Sequence, residues 1–155
     1  MNYKIYTKEK GIIETNNLTD EIRKLTYHRE DGPAEIEYYK NGQKEYEAWY
    51  LNNKQHRKDG PAIIGYYNEN GLKEYEAWYL NDKYHREDGP AFISYDLNDK
   101  IIFESYWQNG NRHRLDGPAV IDYHNPRCFE YWISGVKYSK TNYEKEIRKI
   151  KWQNI

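Results

Sequence analysis

The chain has 155 residues, enough for one domain of ordinary size, and a strongly hydrophilic composition in which 18 Tyr and 5 Trp stand beside a single Met. Few aliphatic residues are left for a deep globular core, whereas a thin repeat structure needs only a flat apolar face per unit. The net charge of −1, with acids and bases interleaved, excludes a field drawing the molecule to nucleic acid, and a lone Cys128 excludes an intrachain disulfide framework.

The start, MNYKIYTKEK, lacks the apolar run of a signal peptide, and no segment is long and apolar enough to span a bilayer. The expectation is a soluble protein of a reducing, cytoplasmic compartment, the host cytoplasm if the protein is viral. Residues 1–27 read as a degenerate N-terminal capping unit. Tyr3 to Tyr6 form a strand, Lys10-Gly11 a turn and Ile12-Ile13 a return strand, while Asp20 to Leu25 are left open between a short helical turn and a strand. Terminal repeats are commonly atypical because they close an otherwise open end.

A seven-residue stretch then occurs four times: HREDGPA from His28, HRKDGPA from His56, HREDGPA from His85 and HRLDGPA from His113. The spacings of 28, 29 and 28 residues define a tandem repeat over 28–138, with one supersecondary unit copied along the chain. The motif residues are His28, Arg29, Asp31, Gly32 and Pro33; His56, Arg57, Asp59, Gly60 and Pro61; His85, Arg86, Asp88, Gly89 and Pro90; and His113, Arg114, Asp116, Gly117 and Pro118. Asp-Gly is a tight-turn pair, and the following Pro sets the backbone and removes an N–H where the next strand begins. The motif therefore predicts the connector between units, with each Arg bonding the Asp or the carbonyls of its turn and each His packing across to a neighbouring hairpin.

After each Gly-Pro the pattern Ala-x-Ile-x-Tyr alternates with period two: Ala34, Ile36, Tyr38; Ala62, Ile64, Tyr66; Ala91, Ile93, Tyr95; Ala119, Ile121, Tyr123. That side is the expected core face, with Glu35 and Glu37, or Ser94 and Asp96, on the other. Hairpin turns are marked by Asn41-Gly42 and Asn70-Gly71, with Asn98-Asp99 and Asn125-Pro126 in the equivalent places. The second turn is one residue longer, which accounts for the 29-residue spacing.

Return strands follow at Lys44 to Asn52, Lys73 to Asn81, Ile102 to Asn109 and Cys128 to Ser134. Tyr46, Ala48 and Tyr50 share one side, and Glu47 and Trp49 the other. Trp49, Trp78, Tyr106 and Trp132 are read as equivalent exposed positions, and they form the candidate binding face. Residues 139–155 break the pattern: Ser139 and Lys140 stand where His and Arg would be, and Thr141 or Asn142 caps a helix from Tyr143 to about Trp152 that closes the array. The fold class predicted is all-β, an elongated single-sheet meander of antiparallel hairpins with a short C-terminal capping helix, advancing about 10 Å per repeat.

The tandem HRxDGPA units followed by WYxN(G/N/D)K resemble the variant MORN-type repeats abundant in giant DNA viruses of amoebae and in some bacteria and phages. The resemblance covers His28 to about Tyr138. It implies an elongated hairpin array, in a group whose related repeat proteins include immunity or antitoxin partners of secreted toxins. The Gly-rich YxGxxxxGxG pattern of the ordinary MORN repeat is absent, so that family's lipid-binding role is not carried over.

Chemistry is weighed against this repetition. A catalytic site is one preorganised constellation in a pocket, whereas four near-identical copies at regular pitch are what a structural turn produces. Equivalent His and Asp about 10 Å apart do not converge on a metal at about 2.0 to 2.3 Å, and His124 is the only histidine outside the motif. No GxGxxG, P-loop or GxSxG is present, so no cofactor, metal or catalytic residue is expected. Tyr and Trp at fixed pitch favour a non-enzymatic protein-interaction scaffold, an inhibitor or adaptor in a viral or antitoxin setting. Two other readings come from different classes. WYLNNK and WYLNDK suit glycan stacking, and Lys137 to Ile155, with six Lys or Arg against two Glu, suits peripheral membrane association, although its short apolar stripe is more simply a cap. Exposed strand edges add self-association.

Overall fold

The computed structural model describes residues 3–124 and 128–153. The chain runs β1 (Tyr3–Thr7), β2 (Gly11–Thr15), α1 (Asp20–Arg23), β3 (Glu35–Tyr38), β4 (Lys44–Ala48), β5 (Tyr50–Leu51), β6 (Lys54–Gln55), β7 (Ile63–Tyr66), β8 (Lys73–Ala77), β9 (Tyr79–Leu80), β10 (Lys83–Tyr84), β11 (Phe92–Tyr95), β12 (Ile101–Ser105), β13 (Trp107–Gln108), β14 (Asn111–Arg112), β15 (Val120–Asp122), β16 (Cys128–Ile133), β17 (Val136–Tyr138) and α2 (Lys140–Gln153). Eleven strands form one open antiparallel sheet in the order β2-β1-β3-β4-β7-β8-β11-β12-β15-β16-β17. No helix among the described residues is long and apolar enough to cross a membrane.

The first hairpin enters the sheet with its outer strand at the edge, since β1 pairs with both β2 and β3. Residues 20–23 between them are helical, with Thr19 capping through Oγ1 and acidic Asp20 and Glu21 in the first turn. The hairpin turns differ as their lengths require. Gly42 N–H donates to Tyr39 O, whereas Gly71 N–H donates to Tyr67 O, one residue further back, and the flanking registers Tyr38↔Lys44 and Tyr66↔Lys73 are the same. Asn125-Pro126 lies outside the described residues.

Each repeat holds more than the two strands expected of it. The return strand breaks at Trp49, whose N–H donates to Ala62 O of the next unit, and the chain then leaves the sheet. Tyr50–Leu51 pairs instead with Lys54–Gln55 across Asn52-Asn53, both at positive φ. The same short ribbon follows at Asn81-Asp82 and Asn109-Gly110, and in the last unit the like turn Ser134-Gly135 joins the unbroken β16 to β17 within the large sheet. Positive φ at both central residues is the tight hairpin turn whose twist matches paired strands. Ribbons stack unit on unit, with the amides of Asn53, Asp82, Gly110 and Gly135 donating to the carbonyls of Tyr27, Gln55, Tyr84 and Arg112.

The expectation of a single core face needs correction, because both faces bury side chains. On one face a ladder crosses the sheet through Ile36, Glu47, Ile64, Glu76, Ile93, Glu104 and Ile121. Its isoleucines are buried, and so are Glu47 and Glu76. These carboxylates are satisfied by Lys44 and Lys73 at 2.7 and 2.6 Å and by the hydroxyls of Tyr66 and Tyr95 at 2.6 and 2.7 Å. On the other face Ala48, Ile63 and Ala77 are packed under Tyr46, Tyr50, Tyr75, Tyr79, Tyr84 and Phe92. Ile63 and Phe92 occupy places the period-two pattern assigned to the solvent side. The ribbons explain this, because their aromatic residues fold over that face: Tyr84 lies 4.2 Å from Tyr79 and 5.2 Å from Trp107, ring centre to ring centre.

Glu35 is buried on this aromatic face, and burial, reinforced by Glu37, pushes its carboxyl up to about 7. The C-terminal helix starts earlier than expected, at Lys140, because Ser139 is its cap: Asn142 N–H donates to Ser139 Oγ at 3.3 Å.

Candidate functional site

The four DGP turns lie along one edge of the sheet and share one geometry. Arg29, Arg57, Arg86 and Arg114 each donate from Nε to the Asp two residues on, at 2.7, 3.1, 2.8 and 2.7 Å, and from Nη1 to the carbonyl of Pro33, Pro61, Pro90 or Pro118. The charge-assisted bonds hold Asp31, Asp59, Asp88 and Asp116 below the usual carboxylate range. None of Gly32, Gly60, Gly89 or Gly117 has positive φ; their requirement is close approach. A Cβ at each would lie 2.7, 2.9, 3.0 or 3.3 Å from the Cζ of its own arginine. Motif histidines reach the neighbouring ribbon: Nδ1 of His28, His85 and His113 accepts from the amides of Asn52, Asn109 and Ser134, and His56 Nδ1 contacts Asn81 Oδ1.

Each guanidinium also stacks on an aromatic ring. Arg29 lies 4.0 Å from the centre of Tyr6, Arg57 4.2 Å from Trp49, Arg86 4.1 Å from Trp78 and Arg114 3.9 Å from Tyr106. Trp49, Trp78 and Tyr106 are therefore equivalent and half-buried, each with one ring face covered by arginine. Tyr6 joins them, a position the degenerate first unit concealed. Trp132 does not. Arg114 N–H donates to Trp132 O as Arg29, Arg57 and Arg86 donate to Tyr50, Tyr79 and Trp107, which places Trp132 in the ribbon column, with Arg112 set between it and Trp107 at 5.1 Å from each. Aligning Ser134-Gly135 with Asn52-Asn53 puts Tyr131, not Trp132, in the place of Trp49.

Between successive turns lie three clefts of about 580, 730 and 430 Å³. The first runs between Arg29–Pro33 and His56–Asp59 with Trp49 and Leu51 inside; the second holds Trp78 and Leu80; the third, Tyr106 and Gln108. Their rims are acidic. The side chains of Asp31, Asp59, Asp88 and Asp116 are at least 80% exposed, and Glu30 and Glu87 are 85% exposed, while the paired arginines are no more than 25% exposed. Lys58 is an exposed cation on the first two rims.

A fourth cleft is filled from within. Tyr143 of α2 packs on Tyr131 with ring centres 5.0 Å apart, and its hydroxyl donates to Arg114 O and accepts from Gly117 N–H, both at 3.0 Å. Cys128 is exposed, and among the described residues no group of three or more His, Cys, Asp or Glu is placed to hold a metal. No family model, curated protein or solved structure matches the chain.

Proposed function

We propose that this chain is a non-enzymatic repeat scaffold of the MORN type that binds another protein along its DGP-turn edge. The observation that supports this most is the row of three equivalent clefts, each with an arginine-capped aromatic ring inside and exposed carboxylates on the rim. Repetition at fixed pitch suits multivalent contact with an extended partner, whereas chemistry calls for one singled-out constellation. Arginine over one face of Trp49, Trp78 and Tyr106 weighs against sugar stacking on that face.

The test is affinity capture of the tagged chain from the cells that produce it, beside a Glu30→Lys/Glu87→Lys variant. Both glutamates are 85% exposed, and among the described residues their ion pairs are 3.8 Å contacts to His28 and His85, so the fold is expected to tolerate the reversal. One partner lost with the variant, with circular dichroism unchanged, supports the turn edge as the binding site. A partner retained in full by the variant removes it.

A further inference from the structure

The filled fourth cleft shows what the open three are shaped to take. At the last turn the phenol of Tyr143 closes both the Gly117 amide and the Arg114 carbonyl. In the other turns the corresponding groups are the amides of Gly32, Gly60 and Gly89 and the carbonyls of Arg29, Arg57 and Arg86. Among the described residues none of these makes a hydrogen bond. A donor and an acceptor left open at the same place in each cleft match a hydroxyl, which both donates and accepts.

The supporting charges agree. Helix α2, which carries Tyr143, has Lys140, Lys145, Arg148, Lys149 and Lys151 against Glu144 and Glu146, and the Tyr143 hydroxyl reaches the turn that holds the exposed Asp116. The open rims carry the same exposed aspartates, with Glu30 and Glu87 added. In the open clefts an arginine covers one face of Trp49, Trp78 or Tyr106, the rings in the place of Tyr131, and offers an entering phenol a planar guanidinium on which to stack.

Resting on the reading of the turn edge as a protein-binding site, we propose that each open cleft takes the tyrosine of a basic, extended polypeptide, its hydroxyl bridging the glycine amide and arginine carbonyl of one DGP turn. The pitch names the conformation. Two strands advance the array about 9.6 Å, and a polyproline II segment brings every third residue back to one side after about 9.3 Å. Tyrosines three residues apart therefore enter successive clefts.

The probe is a synthetic peptide of three Lys-Tyr-Pro units, titrated into the ¹⁵N-labelled chain. The amides of Gly32, Gly60 and Gly89 are expected to shift, while that of Gly117, already engaged, stays in place. Phe for Tyr weakens binding by about tenfold for each tyrosine replaced, because the open amide of that cleft is left unsatisfied. A four-residue repeat, Lys-Tyr-Pro-Gly, forfeits the multivalent gain and weakens binding by about tenfold or more, and Glu for Lys abolishes it. Glycine amides that do not move, equal binding of the Phe peptide, or no binding at millimolar peptide overturns the proposal. So does a shift of the same amides on concentrating the chain alone, which makes a second copy the occupant. A Glu30→Lys/Glu87→Lys variant that loses its captured partner while the peptide fails leaves the turn edge standing and removes only the tyrosine. A variant that keeps the partner removes both.

Discussion

Arginine stacking at the turns depends on the absence of one carbon. A methyl at residue 60 would lie 2.9 Å from Arg57 Cζ, in the space the guanidinium uses to reach Asp59, Pro61 and Trp49 at once. Gly60→Ala is expected to cost about 1 kcal/mol in urea unfolding, the scale of a cation–π contact. Since both residues act on one arrangement, Gly60→Ala in an Arg57→Ala background adds little; full additivity would show that the glycine acts elsewhere. Gly65 is a second case. It lies opposite Tyr75 on the aromatic face, and a Cβ there would meet Tyr75 Cε1 at 2.2 Å, so Gly65→Ala is expected to cost about 2 kcal/mol or more through ring displacement. Glu35 carries a pH signature. Its folded carboxyl titrates at about 7 against an ordinary value of 4.5. The folded state thus binds the extra proton between those values, so stability falls as pH rises from about 4.5 to about 7, and the penalty is complete above that. Glu35→Gln, neutral throughout, is expected to match the parent near pH 4 and exceed it by about 2 kcal/mol at pH 8. Equal pH profiles for the two would contradict the burial argument.

At the scale of elements, the end of the array is closed by one side chain. Tyr143 joins α2 to the last turn through two hydrogen bonds and a ring contact with Tyr131. Tyr143→Phe keeps the ring and loses the hydroxyl, so a cost of about 1 to 2 kcal/mol is expected, with faster hydrogen exchange at Gly117. An unchanged Gly117 rate would place the anchor of α2 elsewhere. The hairpins and the DGP connectors were legible in the sequence because period-two alternation and Asp-Gly-Pro speak about local backbone. The ribbons were legible in principle through Asn52-Asn53, Asn81-Asp82, Asn109-Gly110 and Ser134-Gly135, but an unbroken aromatic run such as Tyr46 to Leu51 reads as one strand. What ends it is a change of partner at Trp49, whose N–H still donates to Ala62 O in the next unit while its carbonyl accepts from His56 N–H in its own ribbon. That hidden turn also carried the misplacement of Trp132, whose register depends on Ser134-Gly135. The second buried face was beyond local pattern altogether, since Ile63 and Phe92 are covered by ribbons that are distant in neither space nor sequence but fold back over them.

For the whole molecule, an open sheet of eleven strands presents two long edges made of turns, and the DGP-turn edge repeats a cleft three times. Because each unit contacts mainly its neighbours, stability and recognition are both sums over repeats, and the edge strand β2, with Ile12 57% exposed, is where a further strand would add. The turn edge as the binding surface is tested most directly by a photo-crosslinking side chain placed at residue 87, on the rim of two clefts, or at residue 74, exposed towards the opposite edge, in the cells that produce the protein. A discrete adduct from position 87, absent from position 74, is the result expected of a scaffold that binds through its DGP turns. An adduct from position 74 with none from position 87 would place the partner on the other edge and contradict it.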